Sequence, residues 1–197
     1  MYRIYSTLIE IMAAGIFLIP VWCIYGKLSF HNWKRTIVYL VFGFYLTAML
    51  SLVGFPNIAF LKIDVTVNII PFVDMIPDFI NACLNVLLFI PFGFFLPILW
   101  ERFRNIKTVA LMGLITTGFI EVSQIFSFRT TDINDIITNT VGTIIGYFVA
   151  RWITGNFTKN IQSDSKTSDF YVICGSVGLI MFFLQPFTSS LLWEIVL

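Results

Sequence analysis

This chain is short of charge, of histidine and of long polar stretches. Asp, Glu, Lys and Arg make up 12% of its 197 residues. A soluble domain is about a quarter charged and about half apolar. Here 58% of residues are hydrophobic and mean hydropathy is +0.89, which excludes an ordinary water-soluble domain. A net charge of +1 lacks the excess that a nucleic-acid partner requires. The single histidine, His31, lies among Lys27, Lys34 and Arg35. A surface histidine is expected there, not a ligand. Cys23, Cys83 and Cys174 are far apart and sit in apolar runs. They form no disulfide framework and no metal spacing, and each reads as a small buried hydrophobe. No metal and no cofactor are expected. No internal repeat stands out, so an inverted-repeat transporter is not supported.

What the chain has is long apolar runs. A membrane-spanning helix needs about 20 mainly apolar residues. Six segments qualify: 7–26, 36–55, 81–100, 106–126, 135–153 and 171–192. The last is the weakest, because Gln185 and Pro186 interrupt it; it either spans with a kink or stops at the interface. The first is too long for a signal-peptide core and reads as a retained helix. The expected fold is all-α: a polytopic transmembrane helical bundle of about six spans, forming one membrane domain over 1–197.

Basic residues mark the cytoplasmic side. Loop 27–35, loop 101–107 and the segment from Arg151 to Lys166 hold nine of the twelve Lys and Arg. The N-terminus, segment 56–80 and loop 127–134 are then expected outside. Asn156 to Asp169 reads as a flexible inner linker. Segment 56–80 mixes Pro56, Pro71, Pro77, Asp64, Asp74 and Asp78 with Ile, Val and Phe, and suits a structured outer loop.

The polar residues within the spans are the informative ones. Asp132, Asp135, Asn139, Gly142 and Gly146 fall within an arc of roughly 80° on a helix. Asn85 follows Asn81 by four residues, and Gln124 follows Glu121 by three, so each pair shares a face. With Arg129, the Asp, Glu, Asn and Gln residues of these sets all lie within about 10 Å of one boundary at 1.5 Å per residue. Polar groups in hydrocarbon are costly and mark functional sites by default. Structural roles compete with that reading. Asp132 can cap the fifth helix and Asp135 can meet its dipole. Arg129 can pair with either. Asn85 and Asn139 can be hydrogen-bonding glue, and Gly142 with Gly146 favours close helix approach. Pro91 and Gly93 interrupt the third helix, where a bend is expected. Glu121 resists a structural account best, being a carboxyl more than a turn inside an apolar helix.

Taken in order, these pieces resemble the VanZ-like family of small bacterial membrane proteins over about 68–150. They are Asn68, Pro71 and Phe72; Asn85, then Phe89, Pro91, Phe92 and Gly93; Glu121 and Gln124; Arg129; and Asp132, Asp135, Asn139 and Gly142. The helices at 7–26, 36–55 and 171–192 carry no motif. The resemblance implies a place in the bacterial cell envelope, in the cytoplasmic membrane. It also implies a link to reduced susceptibility to teicoplanin, the association of the family's founding member.

Two functions compete. In the first, the cluster holds the head of a membrane lipid or lipid-linked wall precursor. Arg129 takes the phosphate or carboxylate, while Asn85, Gln124, Asp132 and Asn139 complete the pocket. In the second, Glu121 and Asp135 form the acid–base pair of an intramembrane hydrolase or transferase acting on a lipid head group. Ser123 and Ser127 lack a histidine partner. Glu121, Asp132 and Asp135 are hard oxygen ligands, but their spacing matches no metal motif. A purely structural polar network ranks third.

Overall fold

The computed structural model describes residues 2–63, 65–72, 78–127, 130–153 and 166–196. The protein is an all-α polytopic membrane bundle. Six helical segments are long and apolar enough to cross a membrane: Tyr5–Phe30, Trp33–Val53, Phe79–Leu99, Ile106–Gln124, Ile133–Ile153 and Thr167–Ile195. By its internal contacts the chain divides into two compact units, 1–61 with 168–197, and 62–167.

The first unit holds α1 (Tyr2–Tyr25), α2 (Trp33–Val53), α6 (Thr167–Leu179) and α7 (Gln185–Val196). α1 runs on into a π-helical turn, Gly26–Phe30. Asn32 then caps α2, its Oδ1 accepting from the Lys34 N–H at 3.1 Å; such a cap satisfies one of the orphan donors at a helix start. Trp22, Tyr39, Phe42 and Met49 form the buried core. The Trp22 ring stacks on Tyr39 at 5.7 Å, and its Nε1 donates to Ser176 Oγ at 3.1 Å.

The Gln185–Pro186 interruption is absorbed without ending the span. A π-helical turn, Ile180–Leu184, joins α6 to α7. Proline cannot donate to the carbonyl four residues before it. That carbonyl, Phe182 O, instead accepts from the Ile58 N–H at 3.0 Å. Of the expected linker, 156–165 lies outside the described residues. Its far end is not a linker: Asp169 sits in the first turn of α6, buried. The reason is Arg35, also buried, in the first turn of α2. Its guanidinium donates to Asp169 Oδ2 at 2.9 Å, and the Tyr25 hydroxyl donates to Oδ1 at 2.9 Å. Phe30 lies 4.1 Å from the guanidinium carbon. The cation is thus paired and stacked.

The second unit holds α3 (Phe79–Leu99), α4 (Ile106–Gln124) and α5 (Ile133–Ile153). α3 continues as one helix through Pro91 and Pro97. α5 packs closely on it, because glycines remove the side chains between the two backbones. A methyl at Gly142 would stand 2.3 Å from the Val86 carbonyl oxygen, one at Gly146 2.0 Å from that of Ile90, and one at Gly93 1.9 Å from that of Thr143. The close-approach reading of Gly142 and Gly146 is therefore what the fold uses.

The segment between the second and third spans is ordered where it is described. Val67–Asn68 (β1) pairs in parallel with Thr131–Asp132 (β2), Asn68 opposite Asp132. The Lys62 N–H donates to Phe126 O at 3.3 Å. Asp64, Asp74 and Pro77 lie outside the described residues.

Candidate functional site

α3, α4 and α5 bring their polar residues to one end of the second unit. α4 runs antiparallel to α5, so Glu121 meets the start of α5 and Thr117 meets Asn139 one to two turns deeper. Glu121 is 2% exposed. Its Oε2 accepts from the backbone N–H of Asp132 at 2.9 Å, and its carbonyl accepts from Thr131 Oγ1 at 3.0 Å. The carboxylate is thereby bonded to a helix start, where the dipole favours an anion.

Asp132 does cap α5. Its Oδ1 accepts from the Asn134 N–H at 2.8 Å, while Oδ2 accepts from Asn68 Nδ2 at 3.2 Å. Asn134 in turn holds the neighbouring turn, its Oδ1 accepting from the Phe72 N–H at 2.8 Å. Phe72 has φ of 65°, the left-handed region, rare for a bulky residue and worth a functional look. The motif residues Asn68 and Phe72 are therefore fastened to the first turn of α5.

Asp135 and Asn85 pair across α5 and α3. Asn85 Nδ2 donates to Asp135 Oδ1 at 2.7 Å, and both residues are half-buried. One turn deeper Asn139 is buried. Its Nδ2 donates to Thr117 Oγ1 at 2.9 Å. Its Oδ1 has no hydrogen-bond partner among the described residues. A buried amide oxygen left unsatisfied costs about 1–3 kcal/mol, and such groups call for an explanation. Gln124 is buried on the same face of α4 as Glu121. Arg129 lies outside the described residues.

The described bonds tie Glu121 and Asp135 to different partners, Glu121 to a backbone amide and Asp135 to Asn85. Ser123 and Ser127 donate to carbonyls of their own segment, Ile120 O at 2.7 Å and Gln124 O at 3.1 Å. Neither is presented as a nucleophile. Among the described residues no group of three or more His, Cys, Asp or Glu could hold a metal ion.

A family model described as VanZ/LLP1 matches residues 15–154. The chain belongs to the VanZ/LLP1 family. The match reaches further upstream than the motif stretch, starting within α1 and taking in all of α2. A relative named Protein VanZ, from Enterococcus faecium, is 37% identical over 62 residues, which is 32% of this chain and 38% of that protein. The chain thus spans well under half the length of that VanZ relative. No solved structure matches it at a significant level.

Sequence reasoning missed several polar residues whose bonds the structure shows. Asn134 lies about 200° around the helix from Asp132 at 100° per residue, off the polar arc, because its partner is the 68–72 turn and not a neighbouring helix. Thr117 carries a visible signal, four residues before Glu121 on the same face. Glu10, inside the first span, was also overlooked; its carboxylate accepts from Ser51 Oγ on α2. The cysteines are free as expected, but half-buried rather than buried.

Proposed function

We propose that this VanZ/LLP1 protein binds the polar head of a membrane lipid or lipid-linked wall precursor at the polar end of α3, α4 and α5. On the basic-loop pattern this end faces outward across the bacterial cytoplasmic membrane. The observation that carries the reading is the half-buried Asn85–Asp135 pair above Asn139, whose buried amide oxygen has no partner among the described residues. A ligand hydroxyl or amide N–H reaching past the pair would satisfy that oxygen. Arg129, the cation between Glu121 and Asp132 in the sequence, would take the phosphate or carboxylate. Gln124 would add a neutral hydrogen bond. Asp132 and Glu121 would hold the pocket wall, and altered handling of an outer-leaflet component would lower susceptibility to teicoplanin-type glycopeptides.

An intramembrane hydrolase or transferase using Glu121 and Asp135 is the competing reading. The experiment is Glu121→Gln, Arg129→Ala and Asp135→Asn, each scored for folded membrane protein and for teicoplanin survival, in a host where the wild type makes a difference. A binder is hurt most by Arg129→Ala and tolerates the two amides. An enzyme loses its phenotype with either amide while staying folded. Loss of folded protein in all three reduces the cluster to architecture.

A further inference from the structure

The first unit has a cavity of its own, of about 470 Å³, where α1 gives way to α2. That volume falls within the range of small-molecule sites. Cys23, Ile24 and the Trp33 ring supply apolar wall, and Lys27, His31 and Asn32 supply polar edges. The turn is built to open there. The π-helical Gly26–Phe30 segment widens the end of α1, and His31, at φ 52°, reverses the chain with its N–H on Gly26 O at 3.0 Å. Gly26 lets the two helices close behind the cavity, since a methyl there would stand 2.1 Å from Thr36 Oγ1.

The charge around it is one-sided. Residues 26–36 contain no acidic side chain. Arg35 is withdrawn into its ion pair with Asp169, but Lys27 and Lys34 are exposed and have no ion pair among the described residues. Asn32 uses Oδ1 to cap α2, which leaves its Nδ2 hydrogens to donate outward. The cavity also lies between two helical segments long and apolar enough to cross a membrane, one ending at Phe30 and one beginning at Trp33. Trp33 is 63% exposed and Leu28 73%, and an exposed Trp at a span end is the side chain that interfaces favour.

We propose that this cavity binds the phosphate headgroup of an anionic phospholipid, with Lys27 neutralising the phosphate from the cavity edge, Lys34 adding charge from the adjoining first turn of α2, His31 and Asn32 donating to its oxygens, and the acyl chain lying along Ile24. Basic pockets at the ends of membrane helices suit such head groups, each cation near the surface contributing about 1 kcal/mol. The site is separate from the one on α3, α4 and α5 and does not depend on it.

The full chain in detergent tests this with Cys83→Ala and Cys174→Ala, leaving Cys23 as the sole thiol. Phosphatidylglycerol should slow maleimide labelling of Cys23 several-fold, while phosphatidylcholine and inorganic phosphate should not. Lys27→Gln with Lys34→Gln should abolish that selectivity. Equal protection by phosphatidylcholine, protection by inorganic phosphate, no protection, or selectivity that survives the lysine substitutions would each overturn the proposal. Native mass spectrometry gives a second reading without any cysteine change. The wild type should retain a phosphatidylglycerol adduct that the lysine variant loses, and equal retention counts against the site.

Discussion

Asp169 in the first unit and the acidic cluster in the second have different described partners. In the first, Asp169 is met by a full positive charge on Arg35 and by the Tyr25 hydroxyl. In the second, Glu121, Asp132 and Asp135 are met, in the described bonds, by dipoles: backbone N–H groups and the amides of Asn68 and Asn85. An ion pair balances its own charge and leaves little for a ligand to do. Amide donors stabilise a carboxylate through directed hydrogen bonds. The difference teaches how to test each: removing a charge probes the first arrangement, and removing a hydrogen-bond acceptor probes the second.

The sharpest way to break that contrast is to remove one half of the ion pair. Asp169→Ala leaves Arg35 charged and buried, and breaking a buried pair this way costs about 3–5 kcal/mol. Thermal unfolding in detergent should show the loss. Arg35→Met with Asp169→Leu should recover most of it, because replacing both charges by packed apolar groups is close to neutral. A double variant as unstable as the single one would mean that the pair is needed for more than mutual compensation.

The second unit should be more sensitive to volume than to charge. Gly146→Ala places a methyl 2.0 Å from the Ile90 carbonyl oxygen, which a backbone cannot yield to without α3 and α5 moving apart. Overpacking of this kind costs about 1–3 kcal/mol. Gly118, with open space around its Cα, is the control on α4, and Gly118→Ala should be neutral or slightly stabilising. Equal effects at the two glycines would remove close helix approach as the organising feature.

Asn139→Ala follows in size. It loses the bond to Thr117, and interhelical hydrogen bonds of this kind contribute about 0.6–2 kcal/mol. It also removes the amide oxygen that has no partner among the described residues, which offsets part of that loss. If the oxygen serves a ligand, the variant should unfold within about 1 kcal/mol of wild type yet lose the teicoplanin phenotype. Wild-type survival with this variant would move the binding site elsewhere.

Hydropathy made the six spans legible, because the bilayer imposes one length on every helix. The ends moved by a few residues: 7–26 became Tyr5–Phe30 and 171–192 became Thr167–Ile195. At the last span, the rescue of Phe182 O by Ile58 joins positions far apart in sequence, which no local pattern contains. The ion pair was hidden for the same reason. Asp169 lies 134 residues from Arg35, so a polar flank before it made the aspartate look like the end of a linker. Capping by Asp132 and close approach at Gly142 and Gly146 were readable, since both are dictated within one or two helical turns. Asn134 was not, because its partner is a turn and the helical arc describes only what helices show one another.

The smallest effect separates charge from hydrogen bonding at Glu121. Glu121→Gln keeps an oxygen to accept from the Asp132 N–H. A bond to a charged acceptor is stronger than one to a neutral acceptor by about 1 kcal/mol, but the amide also avoids the cost of burying a carboxylate. The two terms oppose each other, so the melting temperature should barely change. Glu121→Ala removes the acceptor and strands the Asp132 N–H, at about 1–3 kcal/mol. If Gln keeps both fold and phenotype while Ala loses stability, the carboxylate acts as a fastener for the start of α5. If Gln keeps the fold and loses the phenotype, the charge itself does the work, and the acid–base reading displaces the binding one.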